Sequence, residues 1–398
     1  MTELLIAGLL FLGAALAFIL LKWGNVECVG THPVSTFTFL AILFTSGLDV
    51  GLIMFPLTEF AGYQDIITSP EYAFTNALAI EFGFWAFFIW SFYFLTCFYF
   101  AVLEPKVKFF EITWVKLINN VVIIGTCAFT GYLLLSNLSW YAPELAESAN
   151  GNVILLAIVF IVISLAVFSS TELRYVRTLS VSSTLLFFAL ILFMLFSAVF
   201  KHDIAMSEYA STLGLLSGYF ANINEFMMPL NDYHEFYLYW WFSWAIMIGQ
   251  FTAKFVNGIT TYKLFAAMLV CPSIIIGLWF GVLYLYHQNE IATAGFYNYA
   301  MLAVGIVFVI NSLDSLIRLY TDNLNITKEK LGTSKYIAIN LTLMVGLTLL
   351  FKLELLKIEW FGALVIGLFY AAVVYMVMYK RAEIASITDK VKMQLRAD

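Results

Sequence analysis

Residues 236–258 read FYLYWWFSWAIMIGQFTAKFVNG and hold the densest group of tryptophans in the chain. Trp240, Trp241 and Trp244 lie within five residues in mid-segment, although tryptophan in membrane proteins usually gathers at the lipid headgroups. Trp240 and Trp244 are four residues apart, so they share one face of a helix. Such paired indole faces can enclose a quaternary ammonium, which has no N–H to donate, at about 2 kcal/mol per ring once water is excluded. On this segment alone, an aromatic packing stripe is the simpler interpretation.

The composition indicates a membrane protein. Of 398 residues, 62% are hydrophobic and 12% are charged, against roughly 25% charged in soluble domains. The Cys and His residues show no CxxC, HxxxH or HExxH spacing, so paired-histidine haem ligation and zinc hydrolysis are poorly supported. No clustered residues suggest a redox subunit, and we expect the chain not to be an enzyme and to need no cofactor beyond a coupling ion.

The apolar runs predict an all-α polytopic membrane protein with about eleven transmembrane helices. They fall at about 4–21, 37–57, 74–100, 117–137, 153–170, 181–200, 236–256, 264–286, 298–319, 336–351 and 360–379. The first run is followed by Lys22 rather than preceded by basic residues, which favours an uncleaved span over a signal peptide.

The basic residues give an orientation for these spans. If the N-terminus lies outside and the spans alternate, seventeen of the 20 Lys and Arg residues fall on one side. Only Lys201, Lys352 and Lys357 fall on the other. By the positive-inside rule, the sequence predicts a multi-pass protein of the cell membrane with its N-terminus outside and its C-terminus in the cytoplasm.

Segment 236–258 resembles the signature of the betaine/choline/carnitine transporter (BCCT) family, roughly F-Y-W-A-W-W-x-x-W-x-P-F-V-G-x-F-x-A-R-x-x-x-G. The residues in register are Phe236, Tyr237, Trp240, Trp241, Trp244, Gly249, Phe251, Ala253 and Gly258. The sequence departs from the signature at Ile246, Lys254 and Asn257.

The resemblance continues in order along residues 20 to 380. It includes Lys22–Trp23–Gly24, His32–Pro33 and the segment 44–59. Residues 81–90 resemble the family's H-W-G-L-H-P-W-A-I-Y, and residues 311–315, NSLDS, resemble its T-S-A-D-S. The family's usual first helix has no counterpart here, which agrees with an external N-terminus.

The resemblance implies a LeuT-type core of two inverted five-helix repeats preceded by one helix. We therefore expect a leading helix and cytoplasmic loop at 1–36, repeats at 37–200 and 236–379, an external loop at 201–235 and a short cytoplasmic tail at 380–398. The stretch TSGLDVG at 45–51 suits the broken helix of such a core. The resemblance also implies contact with membrane lipid and a homotrimer, and gives no role for nucleic acid.

The resemblance places the solute among aromatic side chains. The residues expected to line that cage are Phe82, Phe87, Trp90, Tyr237, Trp240, Trp241 and Trp244. Asp49 stands where the family usually has glycine, and an ionisable residue within a membrane is a functional candidate. Asp49 could carry a proton, bind a cation or pair with the solute; alternatively it caps the N–H groups of the broken helix.

Two sodium sites are implied by the same resemblance. Thr126 and Thr130 match two hydroxyls of one site. Asn311 and Ser312 match the hydroxyl pair of the other, which carbonyls of the broken helix near Ser46 and Leu48 would complete. All of these residues supply oxygen, which hard cations favour. A purely structural alternative for the threonines is a bond to their own i−4 carbonyls. Sodium is the leading coupling ion and a proton is the alternative.

Together these features predict an ion-coupled symporter that imports a quaternary-ammonium solute such as glycine betaine, choline or carnitine by alternating access, for use as an osmolyte or nutrient. Two alternatives stay open: a membrane sensor on the same fold that binds without transporting, and a proton-coupled or exchange-type transporter of another small amine.

Overall fold

The computed structural model describes residues 1–48, 50–172 and 174–387, apart from the side chains at 174, 176 and 177. Within these ranges, nine helices are long and apolar enough to cross a membrane, and a bent pair at Thr36–Gly47 and Gly51–Gln64 makes a tenth. The chain is therefore an all-α polytopic membrane protein. The predicted span at 236–256 forms a helix at Asp232–Thr252, but its many Trp and Tyr residues keep its hydropathy low. The count of eleven stays a prediction.

The described residues form nineteen α-helices and two short strands, together with three 3-10 turns and one π-helical turn. The helices are α1 Thr2–Trp23, α2 Thr36–Gly47, α3 Gly51–Gln64, α4 Ala77–Trp85, α5 Phe88–Phe98, α6 Glu104–Val107, α7 Thr113–Tyr141, α8 Pro143–Ala146, α9 Gly151–Ser169, α10 Arg174–Lys201, α11 Met206–Gly214, α12 Ser217–Ala221, α13 Asp232–Thr252, α14 Thr261–Gln288, α15 Phe296–Leu324, α16 Lys328–Leu331, α17 Thr333–Lys352, α18 Ile358–Tyr379 and α19 Arg381–Ala385. The strands are β1 Glu27–Val29 and β2 Asn257–Thr260. In the core, α13 packs between α5 and α18, and α15 packs against α7, α9 and α10.

The predicted break in the second span separates α2 from α3, which are inclined by 53°. Leu48 is extended, with φ −126° and ψ 154°. Other helices provide partners for the carbonyls that the break leaves free: Tyr93 Oη donates to Gly47 O over 2.8 Å, and Ser312 Oγ lies 3.0 Å from Leu48 O. A break at membrane depth is tolerated where such groups satisfy the backbone.

Proline causes a second irregularity in α3. Pro56 has no N–H, so the carbonyl of Leu52 lacks its usual donor four residues on. The indole of Trp279, on α14, donates to Leu52 O over 3.0 Å instead. A tryptophan side chain thus satisfies the backbone where the helix cannot.

A further break, which the sequence did not indicate, separates α4 from α5. Phe87 has φ +35° and ψ −72°, a conformation that costs on the order of 1–3 kcal/mol in a non-glycine residue. Its N–H donates to Ser273 Oγ over 2.8 Å. Two freed carbonyls accept from indoles: Phe84 O from Trp241 Nε1 at 3.0 Å, and Trp85 O from Trp90 Nε1 at 3.1 Å.

The segments between the spans are more ordered than predicted. Strands β1 and β2 pair antiparallel and join the loop after α1 to the end of the α13 region. The loop predicted at 201–235 contains α11 and α12, and α12 packs on α4. The division into repeats at 37–200 and 236–379 stays a prediction.

Hydrogen bonds from a buried ion pair within α15 hold this helix to the end of α9 at the predicted cytoplasmic face. Asp314, which is fully buried, pairs with Arg318 at 3.1 Å and accepts from Ser169 Oγ at 2.9 Å. Arg318 also donates to the carbonyls of Ser169 and Glu172. These contacts tie α15 to the end of α9 and support a structural role for the Asp314–Arg318 pair.

Candidate functional site

The structure brings four tryptophans from two helices into one buried group, which we name the tryptophan cluster: Trp85, Trp240, Trp241 and Trp244. Trp240 and Trp241 stack with ring centroids 4.8 Å apart and planes inclined by 9°. Trp85 meets both edge-on, at 5.6 Å and 5.0 Å. Trp244 meets Trp240 edge-on at 6.3 Å. Each of the four is no more than 1% exposed, so a solute can reach them only after the helices move.

Two further aromatic side chains border the cluster. Tyr237 lies 5.6 Å from Trp240 and 5.8 Å from Trp85. Phe55, on α3 just after the helix break, lies 6.1 Å from both Trp85 and Trp240. Tyr237, which is predicted to line the cage, thus lies beside the tryptophans, while Phe55 is an addition that the sequence did not single out.

The indole N–H groups divide into two sets. Those of Trp90 and Trp241 bond to the backbone freed at the α4–α5 break, so these two rings are fixed in place. Those of Trp85, Trp240 and Trp244 have no hydrogen-bond partner among the described residues, although all three are buried. A buried donor without a partner costs about 1–3 kcal/mol. Such a cost in a native structure is often linked to a ligand or to function.

Trp90 connects the cluster to the α2–α3 break. It meets Tyr93 edge-on at 5.1 Å, and Tyr93 lies 6.3 Å from Trp241 and bonds to Gly47 O. A Cβ at Gly47 would come within 3.3 Å of both aromatic rings. A side chain at Gly47 would therefore press on both rings where the broken helix meets the aromatic residues, and Trp90 lies beside this break.

The structure does not bring Phe82 and Phe87 to this cluster. Their rings contact Tyr219 and Phe220 of α12 instead, with Phe82 at 5.3 Å from Tyr219 and Phe87 at 5.3 Å from Phe220. Both line a separate apolar cavity of about 250 Å³ beside α14. The break at Ala86–Phe87 redirects the chain, and Trp85 takes the position expected for these phenylalanines.

A signal for this arrangement is present in the sequence. The family pattern H-W-G-L-H-P-W-A-I-Y places its aromatic residues five and then three positions apart. Trp85, Trp90 and Tyr93 have that spacing and those identities, three residues later than the alignment that selected Phe82, Phe87 and Trp90. The residues missed by the sequence analysis are thus Trp85 and Tyr93.

The predicted oxygen site on α15 forms around the same helix break. Ser312 Oγ lies 3.2 Å from Thr45 O and 3.0 Å from Leu48 O. Ser46 lies beside it, with its Oγ 3.2 Å from Ser315 Oγ. The carbonyls that face Ser312 are thus those of Thr45 and Leu48. Asp49, the remaining predicted site residue of this stretch, lies outside the described residues.

Asn311 lies next to this site, and both polar atoms of its side-chain amide form hydrogen bonds. Its Nδ2 donates to Thr45 Oγ1 over 2.9 Å, and its Oδ1 accepts from Ser180 Oγ over 3.2 Å. The side chain therefore positions α2 and α10 against α15. As a sodium ligand, its Oδ1 would have to be shared with Ser180.

Thr126 and Thr130 behave unlike the other buried threonines of the helices. The hydroxyls of Thr45, Thr184 and Thr252 donate to the carbonyl four residues earlier. The hydroxyls of Thr126 and Thr130 have no hydrogen-bond partner among the described residues, although both side chains are fully buried. The i−4 bond that would give the pair a purely structural role is thus not made.

Within the described residues, no group of three or more His, Cys, Asp or Glu side chains could hold a metal ion. The available cation ligands are hydroxyl and carbonyl oxygens, which suit a monovalent hard cation better than a transition metal.

Comparisons with known proteins agree with this picture. Residues 114–287 match the family model described as BCCT, betaine/carnitine/choline family transporter. An uncharacterized transporter of Haemophilus influenzae is 26% identical over 310 residues, covering 68% of this chain and 46% of that protein. The glycine betaine transporter OpuD of Bacillus subtilis is 24% identical over 313 residues, covering 69% and 60%. A glycine betaine/proline/choline/ectoine transporter of Vibrio parahaemolyticus is 25% identical over 300 residues, covering 66% and 52%.

The chain thus spans about half the length of the curated relatives it matches. The family match includes α13, which carries three of the four clustered tryptophans. These matches, together with the polytopic helical fold, make the chain similar to the betaine/carnitine/choline transporter (BCCT) family, whose model matches residues 114–287.

Proposed function

We propose that this protein transports a quaternary-ammonium solute such as glycine betaine, choline or carnitine across the cell membrane, and that the tryptophan cluster binds the ammonium group. The observation that carries the proposal is the meeting of four buried tryptophans at two helix breaks. Relatives named as glycine betaine transporters support it.

The chemistry of the cluster suits such a solute. A trimethylammonium group cannot form the N–H bonds that would orient a primary amine, so its affinity comes from aromatic faces. Rings fixed by bonds from Trp90 and Trp241 to the backbone lose little conformational entropy when they bind a ligand. The rigid frame therefore favours binding, while the breaks allow the flanking half-helices to move.

The buried position of the cluster supports alternating access. Because all four rings are at most 1% exposed, entry from either side requires the helices to part. The joints for that motion are the breaks after Gly47 and Trp85. The direction of transport follows the predicted topology, with the N-terminus outside, and assembly as a trimer is proposed from the family alone.

Sodium is the coupling ion that we propose. Thr126 and Thr130 offer two unbonded buried hydroxyls, and Ser312 with the carbonyls of Thr45 and Leu48 offers a second oxygen group. One charge moving inward at roughly −100 mV contributes about 2.3 kcal/mol, or roughly fifty-fold accumulation. Asp49 is proposed as a further cation partner; wild-type sodium-driven uptake of both choline and betaine by Asp49→Asn would leave it only a capping role.

Equilibrium binding to the purified protein tests the site. Choline should bind the wild type, and Trp244→Ala should weaken it about tenfold, since roughly one cation–π contact is lost. Trp244→Phe keeps an aromatic face and should lose much less. Equal affinities for wild type and Trp244→Ala would contradict the assignment. Binding without any counterflow in proteoliposomes would favour the sensor alternative.

A further inference from the structure

A buried carboxyl group lies one helical turn before the tryptophan cluster. Glu81, on α4, is fully buried and precedes Trp85 by four residues. Tyr63 Oη donates to Glu81 Oε2 over 2.8 Å. The side chain of Trp85 also acts on Glu81, although neither Glu81 Oε1 nor Trp85 Nε1 has a hydrogen-bond partner among the described residues. Glu81 thus has one oxygen bonded to Tyr63 and one without a partner, one helical turn before Trp85 of the cluster.

A second carboxyl group, that of Glu59 on α3, acts on Glu81 electrostatically. Thr58 Oγ1 donates to Glu59 Oε1 over 3.3 Å, and Glu59 also interacts with Tyr233. No described Lys or Arg forms an ion pair with either carboxyl group. Unlike Glu81, Glu59 is only partly buried.

The other titratable groups around Glu81 are aromatic. Those that act on it or on its partners are Tyr63 of α3, Tyr72 before α4, and Tyr233 and Tyr237 of α13. Tyr219 of α12 contacts Phe82, Tyr284 of α14 contacts Phe60, and His234 of α13 stacks on Phe84. Tyrosine carries no positive charge in either protonation state. His234 Nδ1 accepts from the Leu230 N–H over 3.2 Å, so this imidazole is neutral and supplies no counter-ion.

Two carboxylates close together in a nonpolar region cannot both remain ionised at low cost. In the closed structure Glu81 has no counter-ion among the described residues, so a proton is the cation that this packing can hold. The protonated carboxyl would also gain a hydrogen-bond donor at the oxygen that has no partner.

Trp85 connects Glu81 to the proposed solute site, because its ring contacts two other aromatic rings there. Trp85 lies 5.0 Å from Trp241 and 5.8 Å from Tyr237. A quaternary ammonium held by these rings would place a positive charge near Glu81, and a nearby cation favours the ionised form of a carboxyl group. The cationic solute and the proton would therefore compete to neutralise the negative charge of the Glu81 carboxylate.

We propose that Glu81 is a proton-exchange site that keeps a proton while the tryptophan cluster is empty and releases it when a cationic solute binds there. The inference rests on the proposed function. In the exchange, the O–H bond of Glu81 breaks, the proton leaves for water past Glu59, and the carboxylate balances the ammonium charge. A zwitterion such as betaine carries its own carboxylate and should displace the proton less.

Infrared difference spectroscopy of the full-length protein in lipid nanodiscs tests the proposal. The stretching band of a protonated carboxyl group should be present in the wild type at neutral pH and missing from Glu81→Gln, whose amide can still accept from Tyr63. Glu147→Gln, which changes an exposed external carboxyl group, is the matched control and should keep the band. Adding choline should remove most of the band, and betaine should remove less.

Each result decides between the alternatives. A spectrum that is the same in wild type and Glu81→Gln shows that Glu81 is ionised and overturns the proposal. A Glu81 band that choline leaves unchanged, while calorimetry shows choline bound, overturns the exchange but not the proposed function. Failure of choline and betaine to bind the wild type overturns the proposed function, whereas the band still reports the proton on Glu81.

Discussion

The ring of Trp85 meets the ring of Trp241 edge-on, with centroids 5.0 Å apart and planes inclined by 78°. This contact joins the last residue of α4 to α13. A second contact lies at the same point, where Trp241 donates its N–H to the carbonyl of Phe84. The helix break and the aromatic cluster therefore form one structure, and a change at either should affect both.

Replacing Trp85 should weaken solute binding far more than replacing Phe82. Trp85→Leu keeps apolar bulk but removes a π-face from the cluster, so choline affinity should fall about tenfold or more. Phe82→Leu changes a ring that contacts α12 instead and is the matched control. Calorimetric titration of both variants measures the difference; equal losses would refute the assignment of Trp85 to the site.

The unbonded hydroxyls of Thr126 and Thr130 should matter for sodium but not for stability. Thr126→Val and Thr130→Val remove no hydrogen bond present in the structure, so thermal unfolding should change little while the sodium concentration for half-maximal uptake rises. Thr96→Val is the control. Its hydroxyl donates to Ala245 O over 2.7 Å, and its loss should destabilise by about 1–3 kcal/mol. An unchanged sodium dependence in both α7 variants would exclude this site.

The sequence predicts those parts of the site whose residues all come from one short, continuous segment. The tryptophans of α13 and the break after Gly47 follow from residue identities a few positions apart. The alignment of 81–90 selects two residues that lie outside the tryptophan cluster, because aromatic residues are frequent throughout 82–93 and the pattern can shift by three residues and still match. The break at Phe87, which determines which rings face α13, depends on Ser273, almost two hundred residues away.

Other features depend on contacts between distant segments. Strands β1 and β2 have three and four residues and pair across more than two hundred positions, so neither has a recognisable local pattern. The missing i−4 bonds of Thr126 and Thr130 are a matter of side-chain geometry, which composition and spacing do not specify. Hydropathy also underestimates α13, since buried indoles and phenols rank as polar on that scale.

The Asp314–Arg318 pair should contribute more to stability than the Lys254–Asp322 pair. Arg318→Met leaves a fully buried carboxylate without its partner, which should cost about 3–5 kcal/mol. Asp322→Asn removes a pair at 3.6 Å in which Asp322 is half exposed and should cost less than about 1 kcal/mol. Thermal unfolding in detergent compares the two variants. A similar loss in both would show that burial of Asp314 is not the controlling factor.

The charge distribution predicts which loops face the medium. Ser148 lies between α8 and α9, Thr333 begins α17, and both are exposed. In intact cells, Ser148→Cys should react with an impermeant maleimide, whereas Thr333→Cys should react only after permeabilisation. The unmodified protein, in which Cys28, Cys97 and Cys127 are buried and Cys271 is partly exposed, gives the background. The opposite labelling pattern would reverse the topology and the direction of transport.

Solute counterflow in proteoliposomes, with sodium and proton gradients set separately, tests the central claim most directly. Vesicles preloaded with choline or glycine betaine should take up the labelled solute in exchange, and an inward sodium gradient alone should drive its accumulation. Trp85→Leu and Trp244→Ala should reduce both processes, while Phe82→Leu should not. Wild-type vesicles that neither exchange nor accumulate any methylated ammonium solute, at protein levels confirmed by reconstitution, would contradict the account.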